Sequence, residues 1–193
     1  VINLLGRSFV RNGEIDKGIN NFERALVLKP KSCETLIYMA NSYMQKGDQK
    51  AALTIYKKIL LIDDKYSAAL LNIGSIEMIN GRLNEAIRFL MKAKDSDKSN
   101  SKIWKTIAIC YLKMGKKTEA KDNLFKSIEI TQADYEIYFL LASILFEELD
   151  YTKARFYLHE IVEKGSKNFD VFLLLGKINK KLGEFDDSIK FFR

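Results

Sequence analysis

A period of 34 residues constrains this chain more than any other feature. The stretch from Trp104 to Leu124 places Trp104, Ala108 and Tyr111 before Gly115, and Ala120 and Leu124 after it. Shifted by 34 residues in either direction, the arrangement returns, with turn positions at Gly13, Gly47, Gly81, Gly115, Leu149 and Gly183. Seven residues before each turn stands Gly6, Ala40, Gly74, Ala108, Ala142 or Gly176. Five residues after it stands Gly18, Ala52, Ala86, Ala120, Ala154 or Ser188. All twelve are small, as two helices need where they approach closely across a short turn. A fixed period of this length belongs to stacked units, none of which buries its apolar face alone.

The large residues keep the same period. The first helix of each unit (helix A) offers Leu36, Leu70, Trp104, Tyr138 and Phe172, and seven residues on from that position Phe9, Tyr43, Tyr111 and Leu145. The second (helix B) offers Phe22, Tyr56, Leu90, Leu124, Leu158 and Phe192. Spacings of three, four and seven put these on one face of a helix. Ser32, Asn100, Asp134 and Asn168 are expected to cap helix A, with Tyr66 out of type; Asp16, Asn84, Thr118, Thr152 and Asp186 are expected to cap helix B, with Lys50 out of type.

Composition narrows the function classes. The 193 residues are 47% hydrophobic and 30% charged, which suits a folded chain, and a single proline, Pro30, argues against long extended linkers. The longest apolar run, Ile137 to Phe146, is too short to span a bilayer. Cys33 and Cys110 lie more than two periods apart and are expected as separate reduced thiols. His159 is the only histidine and is expected on a solvent-facing position, so neither a zinc site nor a catalytic constellation is expected. The glycines are isolated at helix turns rather than clustered in a phosphate loop. The acidic pair Asp186-Asp187 reads as a helix start. No cofactor and no enzyme activity are expected. The net charge of +7 comes mostly from lysines mixed with acidic residues, as in Glu119, Lys121, Asp122 and Lys126, a pattern typical of solvated faces.

On these motifs the sequence resembles a tetratricopeptide repeat array. The resemblance implies an all-α fold, an α-α superhelix (TPR solenoid) of about five and a half helix-turn-helix repeats of 34 residues. The expected repeats are 1–32, 33–66, 67–100, 101–134, 135–168 and a truncated 169–193, forming a single array over 1–193. Leu149 at a turn, Glu77 and Asn179 at aromatic positions, and Ile59 and Ile161 at alanine positions depart from the pattern. They lead us to expect local repacking or a shifted turn in the fifth repeat. The ending on Ile189, Phe191, Phe192 and Arg193, without a polar capping helix, leads to the expectation that the protein continues past Arg193 and before Val1.

In this family the inner faces of the A helices line a concave groove that holds an extended peptide or a partner helix. Carried over by position, the groove holds Asn3, Arg7 and Arg11 from the first repeat, then Ile37, Asn41 and Met44, then Leu71, Asn72, Ser75 and Met78. Lys102, Lys105 and Ile109 follow, then Phe139, Ser143 and Phe146, then Lys177. The expected role is a non-catalytic protein–protein interaction module, an adaptor or scaffold whose partners are other proteins. Chaperone-binding members grip a terminal carboxylate; Asn41, Asn72 and Lys102 match that set, but Ile37 and Thr106 replace two of its cations, although Lys105 is adjacent. An alternative is a basic nucleic-acid-binding array using Lys102, Lys105, Lys113, Lys177, Lys180 and Lys181; Glu136 and Glu147 between these clusters count against it. A further alternative is a regulatory or targeting region of a larger enzyme.

Overall fold

The computed structural model describes residues 1–131 and 134–184. Over these residues the chain is helical throughout, without a strand. It forms two compact units, Val1–Lys98 and Ser99–Arg193. The first holds α1 (Ile2–Arg11), α2 (Ile15–Leu28), α3 (Cys33–Gln45), α4 (Gln49–Ile62), α5 (Ser67–Ile79) and α6 (Leu83–Ser96). Among the described residues the second holds α7 (Ser101–Lys113), α8 (Lys117–Ile130), α9 (Tyr135–Glu147), α10 (Tyr151–Glu163) and α11 (Phe169–Leu182). Odd-numbered helices are the expected A helices and even-numbered ones the B helices. Each of α1, α3, α5, α7 and α9 packs on the B helix that follows it, and within a unit each of these B helices packs on the next A helix. The fold is the all-α TPR-type solenoid class.

The small positions sit where the helices of a pair touch. Ala40, Ala108 and Ala142, with Ala52, Ala86, Ala120 and Ala154, are all fully buried, and Gly6, Gly74, Gly176 and Gly18 are buried with them. The large helix B residues Phe22, Tyr56, Leu90, Leu124 and Leu158 are at most 1% exposed. Phe192 and Ser188, assigned to these two sets, lie outside the described residues, as do Asp186, Asp187, Ile189 and Phe191. Ile59 and Ile161, the departures from alanine, are closed into the cores of their units.

The helix A caps stand as expected. Ser32 accepts from the Thr35 N–H, Asn100 from Lys102, Asp134 from Glu136 and Asn168 from Asp170, while Tyr66 caps without a side-chain bond. The helix B caps lie two residues earlier than expected. They are Glu14, Asp48, Arg82, Lys116 and Asp150, and Asp16, Asn84, Thr118 and Thr152 fall inside the first turn. The physical reason is the compactness of the reversal: one left-handed residue followed by one cap residue turns the chain. The first intrahelical bonds therefore start at the cap carbonyls, as in Gly18 N–H to Glu14 O at 3.1 Å and Ala120 N–H to Lys116 O at 3.1 Å. Only Asp48 and Asp150 accept there through their side chains.

The fifth repeat keeps its turn unshifted. Leu149 takes φ 64° where the other turns have glycine, and its neighbours make the same bonds. Leu149 N–H donates to Phe146 O at 3.1 Å and Asp150 N–H to Leu145 O at 2.9 Å, matching Gly115 to Leu112 and Lys116 to Tyr111, both at 2.9 Å. A branched side chain in this region costs roughly 1–2 kcal/mol. Because Leu149 is 70% exposed, its side chain returns little burial. Leu149→Gly is therefore expected to raise stability by about 1 kcal/mol, after allowing for the greater unfolded-state freedom of glycine. Urea unfolding followed by circular dichroism checks this; an unchanged or lower midpoint would show that the leucine is unstrained.

Local repacking occurs in the third repeat. Glu77, at the aromatic position, is 7% exposed and ion-pairs with the exposed Arg82, the cap residue of α6. Asn179, at the same position of the sixth repeat, is 3% exposed.

Candidate protein-binding face

Within each unit, packing covers most of each helix but leaves a row of A-helix side chains open. In the first unit Asn41 is exposed, and Met44, Leu71, Asn72, Ser75 and Met78 are half-buried. Ile37 differs from its expected place in the groove: it is 7% exposed and belongs to the core around Tyr56, because its side chain is apolar and points between the helices. In the second unit Lys102 and Lys177 are exposed, and Lys105, Ile109, Phe139, Ser143 and Phe146 are half-buried. Phe146 spends part of its ring on Tyr151, with centroids 5.5 Å apart.

Polar side chains on the row are held in fixed orientations. Asn41 Oδ1 accepts from the Tyr56 hydroxyl at 2.6 Å and from Asn72 Nδ2 at 3.3 Å. Tyr56 is fully buried, and burial pushes its phenol pKa upward, so it stays a donor throughout the neutral range. Ser75 and Ser143 turn their hydroxyls back onto the carbonyls of Leu71 and Phe139, at 2.9 and 2.8 Å. These serines leave the middle of α5 and of α9 low.

Lys105 is bound within its own unit. Its Nζ lies 2.8 Å from both Asp134 Oδ2 and Glu136 Oε2. Burial alone would lower its pKa, but the bonds and charges of the two carboxylates outweigh that and leave it raised. Lys117 and Lys121 likewise pair with Glu147 and Glu148. Among the described residues, no group of three or more His, Cys, Asp or Glu side chains could hold a metal, and no helix is long and apolar enough to cross a membrane. His159 is exposed, as expected.

Both thiols are free. Cys110 is fully buried, and burial, opposed only by Lys113, pushes its pKa up to about 11. At pH 8 about one Cys110 in a thousand would be thiolate. Iodoacetamide at pH 8 is therefore expected to leave Cys110 unlabelled in the native protein and to label it in urea, as read by mass spectrometry. Rapid native labelling would show that the α7 contacts open readily.

The helix pairing has clear relatives. Tetratricopeptide repeat models match residues 3–65 and 67–100. Among proteins of curated function, none matches by sequence. Solved structures do match. PilF of Pseudomonas aeruginosa superposes with TM-score 0.90 at 22% identity, over 98% of this chain and 86% of that one. PilW, a type IV pilus biogenesis factor, superposes with TM-score 0.84 at 19% identity, over 98% and 88%. YrrB, described as a TPR protein with an unusual peptide-binding site, gives TM-score 0.73 at 19% identity, over 88% of each chain. At these identities the likeness concerns the fold.

Proposed function

Since the chain belongs to the tetratricopeptide repeat family, a family generally non-catalytic and used for protein interaction, we propose that it is an adaptor or scaffold that binds an extended peptide or a partner helix on its A-helix face. One observation carries this reading. Met44, Leu71, Met78, Ile109, Phe139 and Phe146 remain half-exposed on that face, although the same helices bury Leu36, Leu70, Ile73, Ile103, Ile107, Ile137 and Leu141 to 2% exposure or less. Adaptable methionine and aromatic surface beside oriented amides suits a peptide with alternating apolar and polar side chains. The peptide-binding site of the structurally similar YrrB supports the same direction. The unbroken 34-residue register from Gly81 to Gly115 supports treating 1–193 as one array. The pairing of Lys105 with two carboxylates speaks against the basic nucleic-acid alternative, since it removes one of the cations that reading needs.

The test uses the low points of the face. Ser75→Arg and Ser143→Arg each place a long side chain across one unit's row without entering the helix-pair core. Nuclease-treated lysate is passed over the immobilised parent and the double variant, with helicity matched by circular dichroism. A protein held by the parent and lost by the variant, then reproduced with purified components, supports the reading. Identical captures by both proteins would overturn it.

A further inference from the structure

The first unit carries a pocket of about 270 Å³ whose charged lining groups are two guanidinium cations. Arg7 and Arg11, one turn apart on α1, face Tyr38, Asn41 and Gln45 of α3, and Phe22 lies beneath. Gly6 brings the floor close: a Cβ there would meet the Phe22 ring at 2.6 Å. Tyr38 stacks on Phe22 with centroids 5.9 Å apart and planes at 28°, and the Arg7 guanidinium sits 4.7 Å from the Tyr38 ring centre. This ladder holds Arg7 in place before any ligand arrives, so less side-chain freedom is lost on binding.

Three further facts define the chemistry. First, among the described residues no carboxylate lies within ion-pair distance of Arg7 or Arg11, unlike Lys105. Second, the Asn41 oxygen is already used by Tyr56 and Asn72, which turns its NH₂ group into the remaining free hydrogen-bonding part of that side chain. Third, Glu34 lies one turn back on α3, where it accepts from the Tyr38 hydroxyl at 3.2 Å, so an anion is directed to the Arg11 end. Guanidinium groups match carboxylates in shape and bond them with charge assistance.

We propose that this pocket is the anion-reading subsite of the peptide-binding face, taking a glutamate or aspartate side chain of an acidic peptide segment. The proposal rests on the face reading above and adds the charge of the ligand. The chain's net charge of +7 favours the encounter with such a segment but does not by itself select this pocket.

The probe is a fluorescein-labelled, C-terminally amidated decamer of glutamate, followed by anisotropy at 0.1 M salt, with a glutamine decamer as blank. Arg7→Gln/Arg11→Gln is expected to weaken binding at least tenfold. Asn41→Asp, which keeps the oxygen that Tyr56 and Asn72 bond and replaces the donor with a charge, is expected to do the same. Lys57→Gln/Lys58→Gln, on the exposed side of α4, removes the same charge outside the A-helix face and is expected to change affinity less than twofold. Absence of binding by the parent, equal loss in both charge-removing variants, or binding that requires a free C-terminal carboxylate would each overturn the proposal. The two readings fail separately. A partner lost on Ser75→Arg/Ser143→Arg but retained by Arg7→Gln/Arg11→Gln leaves the face intact and removes the pocket.

Discussion

Tyr56→Ala is expected to destabilise the first unit by about 4 kcal/mol, the largest single effect among the substitutions considered. Tyr56 is 0% exposed and is among the bulkiest fully buried side chains, set among Leu36, Ala40, Ala52 and Ile73. Truncation opens a cavity that these neighbours, themselves fixed on three helices, cannot collapse to fill. It also removes the 2.6 Å bond to Asn41. Tyr56→Phe separates the two contributions: it keeps the ring, drops the hydroxyl, and is expected to cost about 1 kcal/mol. Because stacked repeats need not unfold in one step, the decisive readout is local. Amide hydrogen exchange in α3, α4 and α5 is expected to accelerate strongly in Tyr56→Ala and slightly in Tyr56→Phe. Unchanged protection in those helices would show that the core tolerates the loss.

Gly18→Ala is expected to cost about 2–3 kcal/mol, although alanine favours helices by about 1 kcal/mol over glycine. The equivalent position holds alanine in the next four repeats, so a sequence comparison alone would score the change as an improvement. The geometry reverses the sign. A Cβ on Gly18 would meet Val10 Cγ2 at 2.3 Å and the Gly6 carbonyl oxygen at 2.9 Å. Val10 is β-branched and stiff, and the carbonyl belongs to the α1 backbone, so relief requires the two helices to part. That separation would also loosen the Gly6–Phe22 contact that floors the arginine pocket. Urea unfolding reads the cost, and a gain in stability would show that α1 and α2 shift without penalty.

The contrast between Gly18 and Ala52 indicates what is legible in a repeat sequence. Smallness at Gly6, Ala40, Ala108 and Ala142 is readable because only small residues fit a close helix crossing. Caps at Ser32, Asn100, Asp134 and Asn168 are readable because their side chains bond the first turn directly. The helix B starts were displaced by two residues because there the backbone turn does the capping, and Arg82 and Lys116 occupy the cap without a side-chain bond. In the first unit, register brings Asn41 and Asn72 of successive A helices near each other, and their side chains meet at 3.3 Å. It does not reveal that Ile37 turns inward, that Phe146 leans on Tyr151, or that Tyr56 fixes the Asn41 amide. Those depend on rotamers and interhelical distances, which a 34-residue pattern does not encode. The pairing of Arg7 with Tyr38 lies 31 residues apart and has no counterpart in the other repeats to signal it.

The pattern of neighbours packing on neighbours also has a consequence in time. Within each unit every helix meets partners next to it or one repeat along, so no contact has to wait for a distant stretch of chain. Loop closure over such short separations is quick, and low contact order places a chain among the faster folders. α1 and α2 can therefore dock as soon as both are free of the ribosome, before α5 has been synthesised, and within each unit a later helix arrives on a surface already in place.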